Sequence, residues 1–143
     1  LGARDTLRFE ASLPLYGQEI SQDISPLEAG LGKFVKLGKE SFTGREALAE
    51  QLDAGLKRKL VGFEMIDRGI PRSHYEVKVN GKDAGFVTTG SFSPTLKSNI
   101  GMALIKSEYA EEDNEIQIII RNKALRAKII PMPFYSKKYK LAK

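Results

Sequence analysis

The stretch FVTTGSFSPTLKSNIGMALI, Phe86 to Ile105, decides how the rest of the chain is read. Its ends are apolar and strand-like, Phe86 to Thr89 and Ile100 to Ile105, and between them runs the polar crossing GSFSPTLKSN, Gly90 to Asn99. Gly90 accepts a positive φ, while Pro94 fixes its own φ and pushes Ser93 towards an extended backbone, so neither belongs in a helix interior. A hydroxyl-rich crossing between strands reads as a surface turn or as a piece of a polar site, and loops are where sites usually lie. The pair is a seed from which a β domain can be built in both directions.

Before it, YEVKV places Tyr75, Val77 and Val79 on one face and Glu76 and Lys78 on the other, and NGKD, Asn80 to Asp83, supplies a hairpin turn into AGFVTT. KLVGFEMI gives a strand from Leu60 to Ile66, followed by an irregular DRGIPRS. After it, KSEYAEEDNE reads as a charged, solvated excursion. EIQIIIR (Glu115 to Arg121) and ALRAKII (Ala124 to Ile130) then pair through Asn122-Lys123. Strands at this density with no crossover helices predict an antiparallel sheet closed or folded on itself: a mainly β barrel or a jelly-roll-like sandwich, since closure removes exposed edges.

Upstream of Lys59 the period is helical. LGARDTLRFEAS predicts a helix from about Ala3 to Ser12, ended before Pro14, with Ala3, Leu7 and Ala11 in one row and Arg4 and Arg8 on another face beside Asp5. Arg4 and Arg8 at a spacing of four repel mildly. They either pair with Asp5 and Glu10 in a solvated face or offer a planar guanidinium to an anionic or pterin-like acceptor. SPLEAGL carries a capping signature, with Ser25 as N-cap, Pro26 at the first helical position and Glu28 at the third, and Gly30 and Gly32 keep that helix short. KFVKL, Lys33 to Leu37, reads as a strand or as a helix-to-strand link. SFTGREALAEQL predicts a helix of about nine residues capped by Thr43, with Leu48 and Leu52 as its buried stripe. The shift of period falls in DAGLKRK, Asp53 to Lys59, which sets a boundary between residues 1–56 and 57–143.

Charge shifts at the same place. Of 143 residues, 1–53 hold six Lys/Arg against nine Asp/Glu, and 54–143 hold seventeen against nine, for a total of +5. The basic half can attract an anionic ligand or an acidic partner. No reader module or aromatic stacking series accompanies it, so nucleic-acid binding is not expected. The chain has no cysteine and a single histidine, His74, without a metal-ligand partner at usable spacing, so no metal site is expected. His74 reads as a turn residue, and Asp67 and Glu64 as structural or solvated carboxylates, so the sequence offers no catalytic acid–base pair. No apolar run is long enough for a membrane span and no secretory pattern opens the chain, which sets the expectation of a cytoplasmic protein without membrane contact. A start at Leu1 directly in LGARDTLRFE reads as a cut in a longer protein.

LGARDTLRFEASLPLYG, SPLEAGL, FTGREAL, the GFVTTGSFSPTLKSNIGMALI block and RNKALRAKIIPMPFY together resemble the carboxy-terminal portion of the glycine cleavage system T-protein family, the aminomethyltransferases. Folate-dependent demethylating oxidases and folate-binding proteins of iron–sulfur assembly are similar in architecture but less so in these words. The resemblance implies an enzyme arranged around a folate pocket, which passes a one-carbon unit from the aminomethyl-lipoyl arm of H-protein to tetrahydrofolate with release of ammonia. It implies that residues 1–56 end the folate-binding central domain and 57–143 form the C-terminal barrel domain. Arg4, the arginine of GARD, is the implied folate contact, with further contacts in the SKKYK region. The aspartate important to the family's chemistry lies upstream of the equivalent of Leu1, so this fragment alone is expected to be inactive. The alternative is a non-catalytic folate- or protein-binding β module whose basic surface docks an acidic partner.

Overall fold

The computed structural model describes residues 2–135. A helix α1 (Gly2–Glu10) and a helix α2 (Arg45–Ala54) precede six strands: β1 (Arg58–Met65), β2 (Glu76–Val79), β3 (Lys82–Ser93), β4 (Ser98–Lys106), β5 (Glu115–Ile120) and β6 (Lys123–Ile130). The strands pair antiparallel in the order β1-β4-β3-β2-β5-β6, and β6 returns to β1 to close a barrel. The barrel reading therefore holds and the sandwich reading falls away.

Closure follows from how β4 is buried. Ala103 and Ile105 point inward with Val61, Phe63, Val77, Val87, Ile116, Ile118 and Ile129, while Ile100 and Met102 point outward and meet Phe9 of α1. A strand covered on both faces has no use for alternation, which is why GMALI is continuously apolar. Gly101 stands opposite Phe63, and a methyl group at Gly101 would run into the Phe63 ring; the glycine is the space the ring occupies. On the outer side Phe134 meets Phe9 with ring centroids 5.6 Å apart, and the Tyr135 amide donates to the Glu10 carbonyl at 3.0 Å.

Strand β3 contains the feature that orients everything outside the barrel. Val87 pairs with Ala103 and Thr89 with Met102, so Thr88 is one residue too many. The bulge reverses the alternation beyond it. Val87 belongs to the interior row, yet Thr89, Ser91 and Ser93 follow Met102 and Ile100 onto the side where α1 lies. Thr88 itself is satisfied by donating its hydroxyl to the Met102 carbonyl at 3.1 Å.

Several sequence expectations are corrected. The crossing is not Gly90 to Asn99: both strands continue into it, and the turn occupies positions 94–97, because hydroxyl residues at strand ends pair as readily as apolar ones. SPLEAGL makes both capping-box hydrogen bonds, Ser25 N–H to Glu28 Oε1 at 3.1 Å and Glu28 N–H to Ser25 Oγ at 3.2 Å, but Gly30 at φ 74° ends it as a turn before a helix can propagate. KFVKL contributes no strand; a single 3₁₀ turn covers Gly32–Phe34. Helix α2 is capped by Gly44 at φ 83° rather than by Thr43, and Leu52 of its expected buried stripe is half exposed. The connection at Asn122-Lys123 lies one residue earlier, at Arg121-Asn122, both at left-handed φ. Asn80-Gly81, at φ 51° and 76°, is the hairpin turn expected there. The charged excursion after Ile105 is not wholly solvated, since Tyr109 and Ala110 pack on the barrel core.

The row Ala3, Leu7 and Ala11 does not face the barrel. Residues Phe9 and Glu10 are buried instead, and Leu7 is 68% exposed. The reason is the outer row of β3: its hydroxyls pull the charged side of α1 inward.

Candidate ligand cavity

Two buried carboxylates fasten the N-terminal segment to β3. Glu10, at the end of α1, accepts from the Ser93 hydroxyl at 2.5 Å, the Thr95 hydroxyl at 2.7 Å and the Thr95 amide at 3.1 Å. Burial alone would raise its pKa, but these donors outweigh it and hold Glu10 below the ordinary glutamate value. The hydroxyl-rich crossing is thus a carboxylate clasp, part of the structure rather than a ligand loop. Glu19, fully buried in the loop after α1, accepts from the Leu15 amide at 3.0 Å, from the Thr89 hydroxyl and from Arg8 Nη1 at 3.2 Å. Arg8 is also bound by Asp5, by the Leu13 carbonyl at 3.1 Å and by Thr89 Oγ1 at 3.3 Å.

Between α1, this loop and the barrel lies a cavity of about 500 Å³ whose walls include Arg4, Asp5, Arg8, Gln18, Ser73 and Thr89. The volume is in the range of small-molecule sites, roughly 300–1,000 Å³. Ser73 reaches the cavity from the β1–β2 connection and donates to Gln18 Oε1 at 3.3 Å. That connection can approach because Gly90 is bare: a Cβ there would meet the Pro71 backbone at 2.7 Å. Arg4 is exposed, and none of the ion pairs among the described residues involves it.

The sequence singled out Arg4 and paired Arg8 with it, and the cavity brings both to one wall. Gln18, Glu19, Ser73 and Thr89 were missed. Only the buried position of Glu19, which no local pattern signals, reveals that network. His74 is an exposed turn residue at φ 71° whose amide donates to the Val87 carbonyl. Asp67 lies outside the cavity, paired with Arg126 at 3.0 Å, and hydrogen bonds from Arg126 hold its carboxyl below the usual range. The SKKYK segment lies outside the described residues. Among the described residues no cluster of His, Asp and Glu could hold a metal ion, and no helix is long and apolar enough to cross a membrane.

A second, larger groove of about 770 Å³ opens elsewhere on the barrel, lined by Arg68, Arg72, Arg121 and Lys123 with Tyr75 and Phe92 and without a carboxylate.

Residues 58–136 match the family described as the glycine cleavage T-protein C-terminal barrel domain, and they contain all six strands. The chain belongs to the glycine cleavage T-protein family. Its residues 1–39, which hold α1 and the Glu19 loop, match the GCVT N-terminal domain, so the cavity of this T-protein family chain is walled by both matched regions. The chain is 64% identical over 140 residues to the aminomethyltransferase of Caldanaerobacter subterraneus subsp. tengcongensis, covering 98% of this chain and 37% of that protein. It is 66% identical over 141 residues to the aminomethyltransferase of Alkaliphilus metalliredigens, covering 98% and 38%. The crystal structure of glycine cleavage system aminomethyltransferase T from Bartonella henselae superposes with a TM-score of 0.88 at 31% identity, over 93% of this chain and 38% of that one. The chain therefore spans little more than a third of the length of these relatives.

Proposed function

We propose that this chain is the carboxy-terminal part of a tetrahydrofolate-dependent aminomethyltransferase, which moves a one-carbon unit from the aminomethyl-lipoyl group of H-protein to tetrahydrofolate and releases ammonia. Residues 1–56 are read as the end of the folate-binding domain and 57–143 as the C-terminal barrel domain. The observation that carries the reading is the cavity at their junction, with the Arg4 guanidinium, unpaired among the described residues, on its wall.

In this reading the cavity holds and orients the folate. Arg4 donates charge-assisted hydrogen bonds to a planar acceptor edge, and the Gln18 amide, whose oxygen is occupied by Ser73, keeps its two N–H donors for the ligand. Proton handling as ammonia leaves is assigned to residues outside this chain. Asp5, the carboxylate on the cavity wall, is tied to Arg8 at 2.7 Å and is poorly placed to take a proton. The reaction then depends on holding two reactants in register, which is work for a rigid wall. The carboxylate-free basic groove supports the docking of an acidic protein surface, and lipoylated H-protein is the partner assigned to it.

Titration of tetrahydrofolate into the full-length protein tests the reading. A charge-assisted bond contributes about 1.5–3 kcal/mol, so Arg4→Ala weakens binding roughly ten- to a hundredfold, and Arg4→Lys restores little because an ammonium does not reproduce the fork. Equal affinities for wild type and Arg4→Ala, with a lowered melting temperature, would make Arg4 a structural residue and overturn the assignment.

A further inference from the structure

Arg8 lines the cavity but has nothing left to give a ligand. A guanidinium has five N–H donors; four of them make hydrogen bonds, and the fifth, on Nη2, faces Asp5 in an ion pair. Asp5 takes Nε at 2.8 Å and Nη2 at 2.7 Å, Thr89 takes Nη2 at 3.3 Å, and Nη1 is shared by the Leu13 carbonyl at 3.1 Å and Glu19 at 3.2 Å. Glu19 lies directly behind, fully buried. Its charge balances the wall: the guanidinium groups of Arg4 and Arg8 are set against the carboxylates of Asp5 and Glu19.

We infer that Glu19 is a specificity-determining positioning residue, which keeps Arg8 in the wall so that, among the described residues, the cavity presents one free guanidinium and rejects compact polyanions. This rests on the reading of the cavity as the ligand site. Two free arginines four residues apart on one helix would form a phosphate-binding pair, the geometry in which guanidinium groups bind polyanions most tightly. With Arg8 saturated, the site offers one fork, suited to a flat acceptor edge with little charge. The anionic end of a longer ligand is then left to groups elsewhere.

The test compares wild type and Glu19→Gln full-length protein, titrated with inorganic pyrophosphate and with tetrahydrofolate at fixed ionic strength, with melting curves alongside. Glutamine keeps the shape and removes the charge. Neutralising Glu19 loosens the Nη1 side of Arg8 and leaves the wall one charge more positive, which tightens pyrophosphate binding about tenfold. Tetrahydrofolate affinity falls, the double variant Glu19→Gln with Arg8→Gln loses the pyrophosphate gain, and Glu19→Asp, which keeps the charge, shows none. Unchanged pyrophosphate affinity in folded Glu19→Gln, or a gain that survives removal of Arg8, overturns the inference. Should Glu19→Gln not fold, Thr89→Val takes its place: it removes the hydroxyl that joins Arg8 to Glu19 and frees one Arg8 donor. A pyrophosphate gain smaller than tenfold is expected there, and no gain overturns the inference. An Arg4→Ala variant that leaves tetrahydrofolate affinity unchanged defeats the site reading itself, whereas an absent pyrophosphate gain defeats only the role given to Glu19.

Discussion

Glu10 shows how much one buried carboxylate can organise. Three donors from a single turn of the barrel converge on it, so the end of α1 and the tip of the β3–β4 hairpin are held by the same charge. Replacing it by glutamine keeps the volume but sets an amide against hydroxyl donors, and a loss of about 2 kcal/mol is expected at neutral pH. The pH dependence has a definite sign. A carboxylate whose pKa is lower in the folded than in the unfolded chain contributes stability that is full above the unfolded value and fades as pH falls through the folded one. The difference between wild type and Glu10→Gln is therefore expected to be constant near neutrality and to shrink as pH falls below about 4.3. Urea melts of both proteins at pH 7 and pH 3 check this, and a gap that widens on acidification would contradict it. Glu28 behaves in the same sense: burial raises it, and Arg58 at 2.6 Å together with the Ser25 amide brings it below its ordinary value.

Among the elements, α1 is a helix with two working sides. One carries Phe9 and Glu10 into the barrel wall, and the other leaves Leu7 exposed, with Leu13 and Tyr16 also exposed in the loop beyond. Given that this chain spans little more than a third of its relatives' length, the Leu7 side is expected to be covered in the full-length protein. Leu7→Ser should leave the melting temperature of this chain nearly unchanged and cost the full-length protein roughly 1.5–3 kcal/mol. Equal effects in both would deny that the row is covered. The elements also divide what sequence can and cannot reveal. The Asn80-Gly81 hairpin and the strands around it were legible because their turn chemistry and alternation are local. Strand density narrowed the fold to a barrel or a jelly-roll-like sandwich, and the pairing of β6 with β1 decides for the closed barrel. Helix α1 was legible as a helix, but its buried side was not, since that side is chosen by hydroxyls on β3, some eighty residues away. Arg4 was legible through its helix and its resemblance; Glu19 and Thr89 were not, because a bulge leaves no mark in a run such as Val87-Thr88-Thr89.

For the molecule as a whole, β4 is the centre of stability: it is paired on both sides and buried on both faces. Hydrogen exchange is expected to be slowest at the amides of Met102, Ala103 and Leu104 and fastest in the 68–73 connection, between the amides of Asp67 and His74 that donate to barrel carbonyls. Uniform protection across the barrel would refute this ordering. Filling the space opposite Phe63 with Gly101→Val should cost about 1–3 kcal/mol through overpacking, read as a drop in the urea midpoint with m unchanged. This chain spans little more than a third of its relatives, and the described residues of its cavity wall include no free acid–base pair. Purified alone it is expected to fold yet to show no aminomethyl transfer when supplied with H-protein and tetrahydrofolate. Turnover at the rate of the full-length protein would place the chemistry within these residues.

The extra residue at Thr88 makes β3 a strand whose meaning is set by parity. Substitutions along it are judged one at a time, by volume and hydrogen bonding. A change of length is judged by where it falls: deleting Thr88 would restore plain alternation and leave Thr89 opposite Met102 and Ser93 opposite Ser98, whereas deleting a residue between Thr89 and Ser93 would turn one of the two away from its partner, Glu19 or Glu10. One anchor of the N-terminal segment would then be lost and the other kept, although the barrel itself could still close. Insertions or deletions are usually tolerated where hairpins turn, but here the turn at 94–97 carries Thr95, which supplies two of the three donors to Glu10. An engineer lengthening that tip would therefore have to keep Thr95 beside Glu10, while the positions from Thr89 to Ser93 have to be kept in count even where they are changed in kind.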